Sequence, residues 1–133
     1  GEFDPKLSDS SRGSETLFLA NIQPDLQRQV RAQCNDARLA ALDSMNLWIE
    51  TTRDSLIRTI GTVDLILMND DEVRQLTEEP TLLLAARKIM ELGPRVVVVT
   101  GGTVAPRVAE ICAYRPYVGC GMTTRRSSRA ATT

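Results

Sequence analysis

Four consecutive residues, Asn69-Asp70-Asp71-Glu72, set one amide and three carboxylates directly after the apolar run Leu65-Ile66-Leu67-Met68. Asn-x-x-Glu at the end of a strand is a helix capping box, in which each side chain accepts from the other residue's backbone N–H. Asp70 and Asp71 then read as first-turn acids that complement the positive end of that helix. Comparable polar groups close three other apolar runs: Asn21, then Asp43 with Asn46, then Thr100-Gly101-Gly102. Histidine is absent from the chain, which excludes imidazole ligands, His-based triads and His general bases. The phosphate loops G-x-x-x-x-G-K-S/T and G-x-G-x-x-G after a strand are absent as well.

Such a polar cluster needs elements to hold it. Thr16-Leu17-Phe18-Leu19-Ala20 reads as a strand ending at Asn21, and Pro24 suits the first turn of a helix. Ile22, Leu26, Val30 and Cys34 recur every four residues and predict one buried stripe. Arg38-Leu39-Ala40-Ala41-Leu42 is a second strand, closed by Asp43. A loop through Trp48, read as a packing residue, leads to a helix over 53–60 with Leu56, Ile57 and Ile60 on one face. Asp64-Leu65-Ile66-Leu67-Met68 is the third strand and delivers Asn69. A short helix then runs to Leu76, and Pro80 breaks the pattern. Leu82, Ala85, Ala86, Ile89 and Leu92 mark a longer helix that stops at Gly93-Pro94, before the strand Val96-Val97-Val98-Val99.

Strands that are nearly continuous apolar runs predict burial on both faces, as in a parallel sheet flanked by helices. The expected fold class is α/β, a partial doubly wound, Rossmann-like parallel sheet of about four strands. In that architecture ligands sit beyond the carboxyl ends of the strands, which is where the polar groups gather.

Composition bounds the rest. At 133 residues the chain is one domain, with 42% apolar and 25% charged residues. Residues 1–100 hold 11 Lys and Arg against 16 Asp and Glu, whereas residues 101–133 hold five Arg against one Glu. The division is a polar leader or vector-derived remnant at 1–13, a core at 14–102, and a divergent tail at 103–133. Within the tail, residues 104–113 suggest a helix interrupted at Pro106, and disorder is expected from Met122 onward. No apolar run reaches the roughly 20 residues of a membrane span, and residues 1–13 lack the apolar centre of a signal peptide. A cytoplasmic location is expected. Cys34, Cys112 and Cys120 form no disulfide framework or zinc spacing, and Cys34 falls on the buried stripe.

Three separated segments carry a resemblance. Leu17-Phe-Leu-Ala-Asn-Ile-Gln-Pro-Asp-Leu, Leu42-Asp-Ser-Met-Asn-Leu-Trp-Ile and Val63-Asp-Leu-Ile-Leu-Met-Asn-Asp-Asp-Glu-Val-Arg-Gln-Leu-Thr resemble, in order and spacing, the central part of ribokinase-like (PfkB) carbohydrate kinases. Ala85-Ala86 and Gly93-Pro94 extend the match, over residues 14–100. The resemblance implies a fold that passes the terminal phosphoryl group of ATP to a sugar or nucleoside hydroxyl with Mg²⁺. It assigns Asn69 and Glu72 to an N-x-x-E motif that organises metal and phosphates, with Glu72 as the metal residue acting through water. It places Asp43 and Asn46 on the nucleotide and phosphate side. The turn Thr100-Gly101-Gly102 lies where the family's backbone approaches the nucleotide.

The chain departs from that family twice. Only about 15 polar residues precede the Leu17 strand, where the family has its sugar-binding strands and lid, so a sugar is not expected to bind. The nearest string to the family's Gly-Ala-Gly-Asp catalytic segment is Gly119-Cys120-Gly121-Met122, and a thioether cannot act as base. The expectation is an inactive fragment of an ATP-dependent sugar kinase, with ATP and Mg²⁺ implied by resemblance and no catalytic residue assigned. Two non-enzymatic alternatives stand beside it: a small α/β module that self-associates through exposed sheet edges, and a weak nucleotide or anion binder. Specific nucleic-acid and membrane partners are not expected, because the five tail arginines lack aromatic neighbours and the body is acidic.

Resemblance and apolar patterning both end at Gly102, as in an out-of-frame reading of a GC-rich gene. Translating the coding DNA across codons 90–133 in all three frames should therefore restore a glycine-rich turn and Gly-Ala-Gly-Asp in another frame. Three frames without that continuation would refute the frameshift.

Overall fold

Runs of apolar residues that cannot stay in water pair side by side into one sheet. The computed structural model describes residues 3–101 and the backbone of Ile111–Tyr114. Its elements in chain order are α1 (Asp9–Arg12), β1 (Thr16–Leu19), α2 (Pro24–Gln33), β2 (Leu39–Asp43), α3 (Asn46–Thr51), α4 (Arg53–Ile60), β3 (Leu65–Asn69), α5 (Asp70–Thr77), α6 (Leu82–Glu91), β4 (Val96–Thr100) and β5 (Ile111–Tyr114). The strands lie in the order β1-β2-β3-β4-β5. The first four are parallel, and β5 runs antiparallel to β4. Four parallel strands with flanking helices are the α/β architecture that the apolar runs predict.

The register explains the core. Leu19, Leu42, Ile66 and Val97 are opposite one another across the four parallel strands, and Met68 is opposite Val99. All six are buried and belong to one apolar cluster with Ile49, Leu56, Ile60, Val73, Leu76, Ala85, Ala86 and Ile89 from the helices. The helices form a single layer in which α2 packs on α4, α3 on α4 and α5, and α5 on α6. Parallel strands laid down in simple chain order put every connection on one side of the sheet when all crossovers have the usual single hand, in keeping with the one core cluster. The expectation of burial on both faces thus holds for one face among the described residues.

Polar contacts fix the seams. The Asp25 carboxylate accepts from the Ser55 hydroxyl and the Arg28 guanidinium, both at 2.6 Å, and Thr59 Oγ1 donates to the Pro24 carbonyl at 3.0 Å, so α2 and α4 are tied by side chains. Those partners, the Ser55 hydroxyl first, hold Asp25 below the ordinary carboxylate range. At the amino ends of the strands Asp64 accepts from the Ala40 N–H at 2.9 Å, and its carbonyl accepts from the Arg95 N–H at 2.8 Å, linking β2, β3 and β4. The leader is docked as well: Leu7 N–H donates to Gln33 Oε1 at 3.0 Å, and Gln33 Nε2 donates to the Pro5 carbonyl at 2.6 Å. Cys34 is fully buried beneath it.

Three local expectations differ from the structure. The loop through Trp48 contains the helix α3, only six residues long, too short to reveal a period. The buried face of α2 carries Pro24 and Gln27, whereas Ile22 is 41% exposed and Leu26 half-buried, because an amide (described below) takes the place an apolar residue was expected to fill. Residues 111–113, read as the end of a tail helix, belong to β5, which completes backbone pairing along β4. The rest of the tail, including residues 104–110 and the disorder expected from Met122, lies outside the described residues. Among the described residues no helix is long and apolar enough to cross a membrane.

Gly93 closes the turn from α6 to β4 with φ +145°, and a Cβ there would meet Gly61 Cα at 3.0 Å and its carbonyl oxygen at 3.2 Å. Gly93→Ala combines left-handed strain with a backbone clash, so it should cost about 1–3 kcal/mol. Urea unfolding tests this: the midpoint should fall with an unchanged slope, and an unshifted midpoint would mean that the turn is not constrained.

Candidate functional site

The carboxyl ends of β2, β3 and β4 bring the polar residues of the sequence into one line. Asn69, last residue of β3, is opposite Thr100, last residue of β4, and Asp43 ends β2 beside Leu67. Asn69 caps α5: its Oδ1 accepts from the Glu72 N–H at 2.8 Å, and Glu72 Oε2 accepts from the Asn69 N–H at 2.9 Å. Both halves of the capping box are thus formed. The reciprocal bonds hold Glu72 against the strand end, where it is 5% exposed. Burial pushes the Glu72 carboxyl above its ordinary range and the Asn69 N–H opposes this, while the charges of Asp43 and Asp71 raise it further. The charge of Asp43 thus reaches Glu72 across the β2 and β3 ends. Asp70 and Asp71 occupy the first turn of α5, as expected, and Asp70 pairs with Arg74 at 3.4 Å.

The other predicted positions separate. Asn46 starts α3, and its amide donates to Gln75 Oε1 on α5 at 3.2 Å, so its contact is with a helix surface. Gly101 follows Thr100 and is half-buried; Gly102 lies outside the described residues. Trp48 packs against the core, and its indole N–H donates to Asn21 Oδ1 at 2.8 Å, pinning α3 to the end of β1.

The apolar stripe Ile22, Leu26, Val30 and Cys34 passed over Gln27. This fully buried residue on α2 donates from Nε2 to the carbonyls of Ala20 and Asp43, each at 2.9 Å, and to that of Leu19 at 3.4 Å. One amide thereby sets the spacing between the ends of β1 and β2. Gln27 Oε1 and the buried Ser44 Oγ have no hydrogen-bond partner among the described residues, so polar atoms with spare capacity sit beside Asp43. A signal was present in the sequence, since Gln27 stands at a helical spacing between Pro24 and Val30 and so points inward.

Solved structures with the same arrangement are known. A PfkB protein from Polaromonas sp. JS666 superposes with a TM-score of 0.63 at 22% identity, over 86% of this chain and 42% of that one. Adenosine kinase from Schistosoma mansoni, in complex with tubercidin, gives 0.64 at 16% identity, over 86% and 38%. A protein described as a ribokinase II from E. coli, in complex with ATP and Mg²⁺, gives 0.58 at 14% identity, over 90% and 40%. This chain has a ribokinase-like fold. It spans less than half the length of each of these three proteins. No protein-family model matches the sequence, and no curated protein does.

Within this ribokinase-like fold the donor set suits a hard cation held loosely. Among the described residues no group of three or more Asp, Glu, Cys or His side chains forms a metal cage. Glu72 and Asp43 supply two carboxylates that repel each other, the number Mg²⁺ usually takes when waters and phosphate oxygens complete its shell.

An acid whose folded-state pKa is raised contributes stability that is full below its unfolded value and is lost as pH rises through the folded one. Glu72→Gln keeps an acceptor for the Asn69 N–H, so urea midpoints taken from pH 4.5 upward should fall less steeply than in the parent. Asn69→Ala, by contrast, should cost about 1 kcal/mol across the same range. Parallel pH profiles for parent and Glu72→Gln would refute the buried-carboxylate account.

Proposed function

We propose that the chain is the nucleotide-facing part of an ATP-dependent sugar or nucleoside kinase, and that these 133 residues alone transfer no phosphoryl group. The observation that carries this reading is the alignment of Asp43, Asn69, Glu72 and Thr100 at the carboxyl ends of neighbouring parallel strands, in a ribokinase-like fold. Ligands of open α/β sheets bind at that edge.

Glu72 would hold Mg²⁺ through water, with Asp43 as the second negative charge. Bound there, the ion would neutralise charge on the phosphates. Asn69 fixes the Glu72 carboxylate through the reciprocal cap, so the charge is placed before any ligand arrives. Thr100 and Gly101 offer a hydroxyl and a side-chain-free backbone beside it. Gln27 sets the height of Asp43 by holding its carbonyl. Phosphoryl transfer depends on positioning and charge stabilisation of the moving group, together with a residue that orients or deprotonates the acceptor. The string nearest to the family's catalytic segment, Gly119-Cys120-Gly121-Met122, ends in a thioether, which cannot take a proton. Turnover is therefore not expected.

A second reading rests on the strand order, in which β1 and β5 are the sheet edges among the described residues: an α/β interaction module that self-associates at those edges. The two readings can coexist in one chain.

Protein purified from a host lacking sugar kinases should show a melting temperature that rises with Mg·ATP concentration, as for any ligand bound only by the folded state. Glu72→Ala should remove the Mg²⁺-dependent part of that rise. Phosphorylation of a panel of pentoses, hexoses and nucleosides should stay at the no-enzyme background. Robust turnover would overturn the inactivity, and no thermal response to Mg·ATP would overturn the nucleotide-facing assignment.

A further inference from the structure

Ahead of the first strand the leader runs beside α2 without burying a side chain of its own. Residues 3–14 are exposed apart from the half-buried Pro5, Leu7 and Ser14, and α1 holds no buried residue. Phe3 and Asp4 face Leu26 and Gln29 across a cleft. Several of the segment's hydrogen bonds are internal: Ser8 caps α1, and Arg12 Nε donates to the Leu7 carbonyl at 3.1 Å. The described hydrogen bonds that leave the segment end at two neighbouring residues. Gln33 Oε1 accepts from the Leu7 N–H at 3.0 Å, Gln33 Nε2 donates to the Pro5 carbonyl at 2.6 Å, and the Cys34 thiol meets the Ser11 carbonyl at 3.6 Å. That thiol belongs to a residue with no exposed surface.

We propose that residues 3–14 are a strap, latched by the Gln33 amide, that opens as a unit and uncovers Cys34 while the sheet stays folded. The proposal concerns the α2 side of the molecule and does not depend on nucleotide binding. Three observations support it. Segments with few buried side chains and exposed hydrogen bonds open at lower free energy than a core. The strap is such a segment, whereas α2 beneath it is tied to α4 through Asp25 and Ser55, and through Pro24 and Thr59. The latch is one side chain, so its two bonds form and break together. The opening also has a fixed limit: the Glu15 carbonyl accepts from the N–H groups of Arg38 and Leu39 at 2.8 and 3.2 Å, and β1 pairs with β2 from Thr16 onward. Release of the strap therefore stops where the sheet begins.

The latch sets the size of the effect. One ordinary hydrogen bond shifts an equilibrium by roughly 2- to 12-fold, so loss of both Gln33 bonds should raise the open fraction about 10-fold or more. The Cys34 sulfur is the reporter of that fraction, because a reagent reaches it in the open form alone.

Alkylation of the full chain by N-ethylmaleimide tests this, read at Cys34 by peptide mass spectrometry and so apart from Cys112 and Cys120. The Cys34 rate should lie well below that of a small free thiol. It should also be nearly insensitive to urea below the unfolding transition, because opening a strap exposes little surface. Gln33→Ala should speed alkylation about 10-fold with an unchanged far-UV circular dichroism spectrum. Gln33→Met, which keeps the length of the side chain and neither bond, should do the same. Gln29→Ala, one turn earlier on α2, should leave the rate as it is. In the parent chain, a Cys34 rate that rises with urea at the slope of global unfolding would overturn the strap without recourse to any variant. Reaction as fast as a free thiol would overturn it too, since the strap would then not be docked. Equal acceleration by Gln33→Ala and Gln29→Ala would mean that the end of α2 frays as a whole, and would overturn the latch.

Discussion

A parallel sheet in which β1, β2, β3 and β4 are neighbours in chain order leaves its crossover helices a single side to occupy, because each crossover keeps the same hand. That constraint organises the core as one row of contacts. Leu19, Leu42, Ile66 and Val97 stand in register beneath α2, α4, α5 and α6, so each strand contributes about half of its side chains to the cluster. The remaining half lies on the other face, and its cohesion depends on whatever that face meets. A small α/β unit that buries one side of its sheet is short of the apolar contact that offsets chain entropy. The polar seams between α2 and α4 and the leader docked on Gln33 add cohesion to the side that is already covered.

The same register that builds the core assembles the polar edge. Parallel strands all finish at one end, so the residues that terminate them become neighbours without any sequence proximity. Asp43 and Asn69 are 26 positions apart and Asn69 and Thr100 are 31 apart, yet they close adjacent strands. Their heights are then fixed by buried hydrogen bonds, the only form in which polar groups can be kept inside at modest cost. Gln27 clamps β1 to β2, the Asn69–Glu72 cap clamps β3 to α5, and the Trp48 indole clamps α3 to Asn21. Capping and an altered carboxyl coincide at Glu72. Its cap role requires burial beside the strand end, and that burial is also what raises its pKa.

What was legible in the sequence follows from the same physics. Strand cores such as Val96-Val97-Val98-Val99 are visible because a β-branched run has few other uses. The helices α4 and α6 show their period because they are long enough to repeat it, and Asn69-x-x-Glu72 is visible because the cap is local. Less visible was anything decided by partners distant in sequence. A continuous apolar run gives no sign of which face will be covered, since both parities are equally apolar in Leu65-Ile66-Leu67-Met68. Gln27 was missed because a buried amide is meaningful only once the three carbonyls it reaches are in place. The six residues of α3 and the four of β5 are each too short to carry a period, and their existence depends on the elements beside them.

These points bear on how function and cohesion divide in this fold. The polar edge is formed by strand ends and by the first turn of α5, and its buried hydrogen bonds come from the helix side of the sheet. None of its described contacts calls on the opposite face. Asp43, Asn69 and Thr100 nevertheless continue the open-face row of their strands, so that edge and that face adjoin. Any ligand bound only by the folded state would stabilise it by mass action, and so would any partner on the open face, each raising the fraction of chain able to bind the other. Coupling of that kind passes through the folding equilibrium and needs no relay between the sites. It is strongest where the isolated chain is least stable.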